Sequence, residues 1–243
     1  MVSTGISLGR LVAFNYRDQK IRLFLGIAFF LAMMALYKIG AIIGIFFNAS
    51  SLVILIIRAA MVLLGAFLYH KWFEDEFDGF FGFKRVKAGL LILTPTFLAN
   101  LAHILQCPSS HVSGSNVLAI ATSVLFEEIA CRGICESYCL KHVTNKKDIP
   151  IVILLFGIGF GLLHYNNLYY GQAFDVTTLQ VISASMSGVL YAFAFAISGS
   201  IWPSFFAHFI NNYACEMYAG TDRDPMTSGV EDFWGQILFG FGL

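Results

Sequence analysis

Long apolar runs, interrupted at short intervals by clusters of charge, organise this chain. Crossing a hydrocarbon core about 30 Å thick takes about 20 mostly apolar residues as a helix. On that measure the pattern predicts seven spans, at about 22–47, 51–70, 87–105, 117–140, 150–165, 179–198 and 202–219. The fifth run stops short before HYNNLYYGQ, so its helix either continues past His164 or breaks there. The closing stretch FWGQILFGFGL is too short to span and is expected at the interface, with Trp234 as an aromatic anchor. The expected fold is all-α. It is a polytopic transmembrane helix bundle of about seven spans, one integral-membrane domain over residues 1–243, with a polar cavity inside it.

Composition agrees with the pattern. Of 243 residues, 58% are hydrophobic and 12% charged, against about 25% charged in a soluble domain. Mean hydropathy is +0.73. The formal net charge of zero gives no electrostatic basis for a nucleic-acid partner. Five cysteines include Cys131, Cys135 and Cys139 within one apolar run, where they suit small buried side chains rather than a disulfide framework. No bridge is assigned to Cys107 and Cys215.

Lysine and arginine are distributed unevenly. The N-terminal segment carries Arg10, Arg17, Lys20 and Arg22; the 71–87 loop carries Lys71, Lys84, Arg85 and Lys87; the 141–149 loop carries Lys141, Lys146 and Lys147. With seven spans these three regions share one side, and the opposite side holds only Arg223. The excess places the N-terminus in the cytoplasm and the C-terminus outside. The first 22 residues show no apolar run ending in a small-residue cleavage site, so the first span is expected to serve as an uncleaved signal. Short loops and the lack of targeting extensions point to the plasma membrane of a prokaryote.

Polar groups inside the spans need a reason, because a charge at bilayer depth costs a few kcal/mol or more. Lys38 and Arg58 are explained by snorkelling toward an interface. The stretch TSVLFEEIACRGICESY is different. Glu128, Arg132 and Glu136 recur every four residues, a spacing that lines one α-helical stripe and lets Arg132 pair with either carboxylate. Glu127 is turned about 100° from Glu128, on a stripe with the small residues Ser123, Cys131 and Cys135. Such a set is either a polar staple between helices or the wall of a wet site.

Two further runs bear on that choice. His164 closes the fifth span, and His208 and Asn212 stand four apart in the seventh, on one face. If these helices adjoin, a carboxylate and an imidazole can hold one water and take its proton. A histidine and an asparagine presented together can donate to a developing oxyanion. Base, water and oxyanion donors together suit hydrolysis of an amide. Cys131, one turn from Glu127, is the best candidate for a covalent nucleophile instead.

These residues also form a pattern. EEIACR holds Glu127, Glu128 and Arg132 as E-E-x-x-x-R; FGLLH holds Phe160 and His164 as F-x-x-x-H; HFINN holds His208 and Asn212 as H-x-x-x-N. Together with the lead-in GSIWPSFFAH, they resemble the CPBP intramembrane endopeptidases, also called the Abi family. That family includes the eukaryotic CAAX-prenyl processing proteases and bacterial proteins linked to bacteriocin maturation and self-immunity. The resemblance covers about residues 117–215, a catalytic core, while the first three spans match by hydropathy alone.

The resemblance implies a glutamate-dependent endopeptidase with no metal and no cofactor, acting on a membrane-associated peptide, prenylated or leader-type, in the bilayer. Glu127 and His164 would activate the water, and His208 and Asn212 would form the oxyanion site. Glu128 and Arg132 would support the site's structure and charge, and Phe160 would pack one turn before His164. Tyr165, Asn166 and Asn167 would line the entrance, although Asn-Asn also suits a turn. Competing readings are a zinc-dependent membrane hydrolase built from two histidines and a glutamate, a non-catalytic immunity or peptide-binding protein, and a transporter. No H-E-x-x-H occurs in the chain. One feature sits awkwardly: the expected topology puts His164 near the outer end of its span and His208 near the inner end of its own.

Overall fold

A computed structural model describes residues 19–46, 50–72, 80–83, 85–107 and 112–218. The basic N-terminal segment, most of the 71–87 loop, the C-terminal stretch with Trp234, and the side chains of Lys38 and Arg58 lie outside what is described. The described residues are helical and turn segments with no strand, as the apolar pattern requires.

The first two helices, α1 (Gln19–Phe46) and α2 (Ser51–Trp72), pack as a pair. The expected third span, 87–105, is two helices, α3 (Val86–Ile92) and α4 (Thr94–Gln106), bent by 61°. The cause is local. Pro95 has no N–H to give, and its ring collides with the carbonyl four residues back, so the run cannot continue straight. Leu93 at the break is fully buried.

The expected fourth span is longer and less regular than an α-helix. Ser113 caps α5 (Gly114–Glu128), its hydroxyl accepting from Asn116 N–H at 3.2 Å. From Ile129 to Glu136 the chain runs as a π-helix, and it ends as α6 (Ser137–His142). The fifth span continues past His164. α7 (Ile149–Leu162) tightens into a 3₁₀ stretch, Leu163–Tyr170, which stops at Gly171 with φ of 86°. The sixth helix, α8 (Phe174–Ser198), starts five residues before the expected 179 and ends at Gly199, whose φ is 63° and whose N–H donates to Phe195 O at 2.7 Å. Three residues later α9 (Trp202–Tyr218) begins.

Among the described residues, Lys146–Leu168 and Phe174–Ser198 are long and apolar enough to cross a membrane, and the bent α3–α4 pair makes a third if it is one span. The chain is thus an all-α membrane bundle, while the count of seven remains an expectation. Phe24, Leu63, Leu91 and Leu105 face outward, each more than 60% exposed, as suits a lipid-covered surface.

The most extensive helix pair, α7 with α8, sets the depth of the polar groups. It packs backbone against backbone. A methyl on Gly157 would sit 2.5 Å from the Val189 backbone, and one on Gly188 would sit 2.6 Å from Gly157 O. Gly157 and Gly161 stand four apart in GIGFG, the small-residue spacing that lets apolar helices approach closely in lipid. On the other side, Phe30, Met33, Phe126, Ile134, Val152 and Phe156 form a buried cluster that joins α1, the π-helix and α7.

Candidate active site

Glu128 is the last residue of α5, where the α-helix gives way to the π-helix, and it is fully buried. Its Oε1 receives two partners. His208 Nδ1, from α9, lies at 2.9 Å, and Arg132 Nη1, one turn on, lies at 3.5 Å. A carboxylate only accepts, so the imidazole proton sits on Nδ1 and Nε2 is turned the other way. There Nε2 meets Glu127 Oε2 at 3.8 Å and Asn212 Nδ2 at 3.4 Å. His208 therefore stands between the two adjacent glutamates, one nitrogen toward each. Glu127 keeps 25% of its side chain exposed, whereas Glu128 keeps none. The Glu127 side of the pair is the one solvent can reach.

Phe160 resolves the mismatch in depth between the histidines. Its ring is 5.4 Å from the His164 ring and 5.3 Å from the His208 ring, edge-on to both. The 3₁₀ continuation carries His164, whose Nδ1 lies 3.3 Å from Phe160 O, beyond the end of α7 proper. The expected packing role of Phe160 is wider than one turn of its own helix. It separates the two imidazoles and also lies under Arg132, whose guanidinium carbon is 4.7 Å from the ring centre.

Arg132 is fully buried and makes one hydrogen bond outside its own helix, donating from Nη2 to Gly188 O at 3.1 Å. The close α7–α8 packing fixes that carbonyl. Glu136, expected on the same stripe, is also fully buried, but neither of its oxygens has a hydrogen-bond partner among the described residues. Spacing does not separate the two carboxylates, since Arg132 lies within the π-helix and stands four residues from each; what differs is that Glu128 has His208 of α9 opposite it. Cys131 and Cys135 are fully buried in the apolar cluster with Phe30 and Phe156, and all five cysteines are free thiols.

The sequence motifs did not reveal Tyr191, which stacks on the His208 ring at 5.6 Å and 26°. It sits in the apolar run SGVLYAFAFAI, where a buried tyrosine carries no motif. Asn167 donates to Gln180 Oε1 at 2.8 Å and so ties the 3₁₀ stretch to α8. A groove of about 600 Å³ between α1 and α7, lined by Ile27, Phe30, Leu155, Gly159 and Leu163, is almost wholly apolar and is separate from the carboxylates. Among the described residues no group of three His, Cys, Asp or Glu side chains converges in a way that could hold a metal.

Residues 109–214 match the family model of the Rce1-like type II CAAX prenyl endopeptidases. This segment runs from just before α5 into α9 and contains every residue of the arrangement above. The match agrees with the resemblance to the CPBP, or CAAX protease, family that the three motifs carry, and it covers 109–214 of the 243 residues. No curated protein and no solved structure matches the chain. A membrane protease is the function class that the family supports.

Proposed function

We propose that this protein is an intramembrane endopeptidase that uses glutamate-activated water to hydrolyse a peptide bond in a membrane-associated peptide, prenylated or leader-type. One observation carries the reading: His208 lies between Glu127 and Glu128, with Nδ1 on Glu128 and Nε2 beside Glu127 and Asn212. Glu127, partly exposed, takes a proton from a water that attacks the scissile carbonyl, and His164 helps to hold that water. Asn212 donates to the oxygen that becomes negative in the tetrahedral intermediate, and His208 donates beside it when its ring carries a proton on Nε2 as well as on Nδ1. Glu127 then returns the proton to the departing amine as the C–N bond breaks. Glu128 and Arg132 hold the imidazole and balance its charge, and no metal takes part. The lysine and arginine distribution supports a cytoplasmic N-terminus, and the short loops support a prokaryotic plasma membrane.

The test is cleavage of a lipid-linked fluorogenic peptide in proteoliposomes. Replacing Glu127 by Gln keeps size and polarity but removes the proton acceptor, so turnover should fall by about 10²- to 10⁴-fold with the fold intact. His164→Ala should also abolish cleavage. Normal turnover in Glu127→Gln would refute the assignment. Loss of cleavage with a chelator and recovery with added zinc would replace it by metal chemistry.

A further inference from the structure

Tyr191 is 1% exposed, and its ring lies on one face of the His208 imidazole, centroids 5.6 Å apart and planes 26° from parallel. Phe160 meets the same imidazole edge-on, at 5.3 Å and 88°. The Arg132 guanidinium carbon stands 4.7 Å from the Phe160 ring centre and 5.8 Å from that of Tyr191. Tyr191 also packs in a buried cluster with Leu93, Ala194 and Ala207, and Ala207 is the residue before His208. The ring is therefore fixed from below by the helix break at Leu93 and from the side by α9.

A hydrogen bond at Nδ1 leaves an imidazole free to tilt about the line to its acceptor. Tilting would carry Nε2 away from Glu127 and Asn212 while the bond to Glu128 persisted. A flat aromatic face against the ring removes that freedom, because every tilted orientation loses contact or collides. We propose that Tyr191 is the positioning residue of the His208 ring, holding Nε2 toward Glu127 and Asn212 through the face of its aromatic ring. The phenol oxygen has no part in this role. The inference rests on the protease reading for its kinetic consequence, but its structural content, the fixed orientation of His208, stands apart from any activity.

The experiment uses the full-length protein in proteoliposomes and has two readouts. The first is ¹⁵N NMR of histidine-labelled protein, with the His208 signals assigned by comparison with His208→Gln. Wild type and Tyr191→Phe should each show one sharp Nε2 signal, and Tyr191→Leu should show a shifted or broadened Nε2 signal while the Nδ1–H signal persists. The second is peptide cleavage. Tyr191→Phe should keep kcat near wild type, while Tyr191→Leu should lower kcat by about tenfold to a hundredfold with KM little changed, as expected for misplaced rather than missing groups. If Tyr191→Leu does not fold, Tyr191→Met fills a similar space without a flat face and should show the same defect. Unchanged ¹⁵N signals in folded Tyr191→Leu or Tyr191→Met would overturn the positioning role, as would Tyr191→Phe matching the leucine variant. A wild-type protein that cleaves nothing, with the Nε2 change still present in Tyr191→Leu, would instead overturn the protease reading and leave this one standing.

Discussion

Arg132 stands four residues from Glu128 and four from Glu136, all three fully buried, yet the two ends of this segment are built differently. At the first end, Glu128 Oε1 has His208 Nδ1 at 2.9 Å and Arg132 Nη1 at 3.5 Å, and Ser204 adjoins the same carboxylate. At the second end, Glu136 has no hydrogen bond among the described residues and feels the Arg132 charge only through space. The residue types and the spacing are equal, but the surroundings are not. Glu128 has His208 and Ser204 of α9 beside it, while Glu136 meets no hydrogen-bonding group among the described residues. A neighbouring helix thus distinguishes a carboxylate paired with a histidine from one with no hydrogen bond.

The sharpest way to break this comparison is to remove the arginine. Arg132→Ala leaves Glu128 buried with His208 as its one strong partner, and Glu136 with none. Removing one member of a buried ion pair costs about 3–5 kcal/mol. We expect Arg132→Ala to lose that much stability in detergent-solubilised thermal unfolding and to lose cleavage with it. An unfolding midpoint equal to that of wild type would show that Arg132 does not hold either carboxylate.

Glu128→Gln comes next. The amide matches the carboxylate in size but presents a donor as well as an acceptor, so it no longer selects the Nδ1–H tautomer of His208. Changing the acceptor that sets a catalytic imidazole's tautomer costs up to about 10⁴ in kcat, and a loss of at least about 10²-fold is expected here by the same logic. The stability loss should be smaller than in Arg132→Ala, because the guanidinium keeps Gly188 O at 3.1 Å and the Phe160 ring at 4.7 Å. A Glu128→Gln protein that cleaves normally would mean His208 is oriented by its packing alone.

How much of this was legible in the sequence depends on what each element obeys. Periodicity and hydropathy gave the helical membrane class, and three short motifs located the residues that the fold brings near one another. The histidines at apparently different depths were legible only in part. The 3₁₀ continuation past His164 follows no apolar rule, and Phe160 touches both imidazoles through tertiary packing. The bend at Leu93 had a visible cause in Pro95, yet the apolar run over 87–105 read as one span because hydropathy ignores backbone donors. The π-helix left no sign, since IACRGICE scans as an ordinary apolar turn, and the spacing of Glu128, Arg132 and Glu136 carried no information on what faces each carboxylate. Tyr191 stayed hidden because its role is to touch a ring on another helix, and no local pattern encodes that contact.

The smallest effect is expected at Glu136, and it is the most discriminating. Glu136→Gln removes a titratable carboxyl group from a fully buried position where neither oxygen has a hydrogen bond among the described residues. Desolvating a carboxylate costs several kcal/mol when partners do not offset it, and replacing a poorly compensated buried charge is often neutral or stabilising. Against this, Arg132 loses the long-range attraction of its second carboxylate. The balance should fall within about 1 kcal/mol of wild type on the stabilising side, with kcat changed less than about twofold, since Glu136 touches neither histidine. A double-mutant cycle sharpens the contrast: Arg132 should couple strongly to Glu128 and weakly to Glu136. If Glu136→Gln instead destabilises the protein as much as Glu128→Gln, both carboxylates hold the arginine, and the contrast between the two ends of the segment fails.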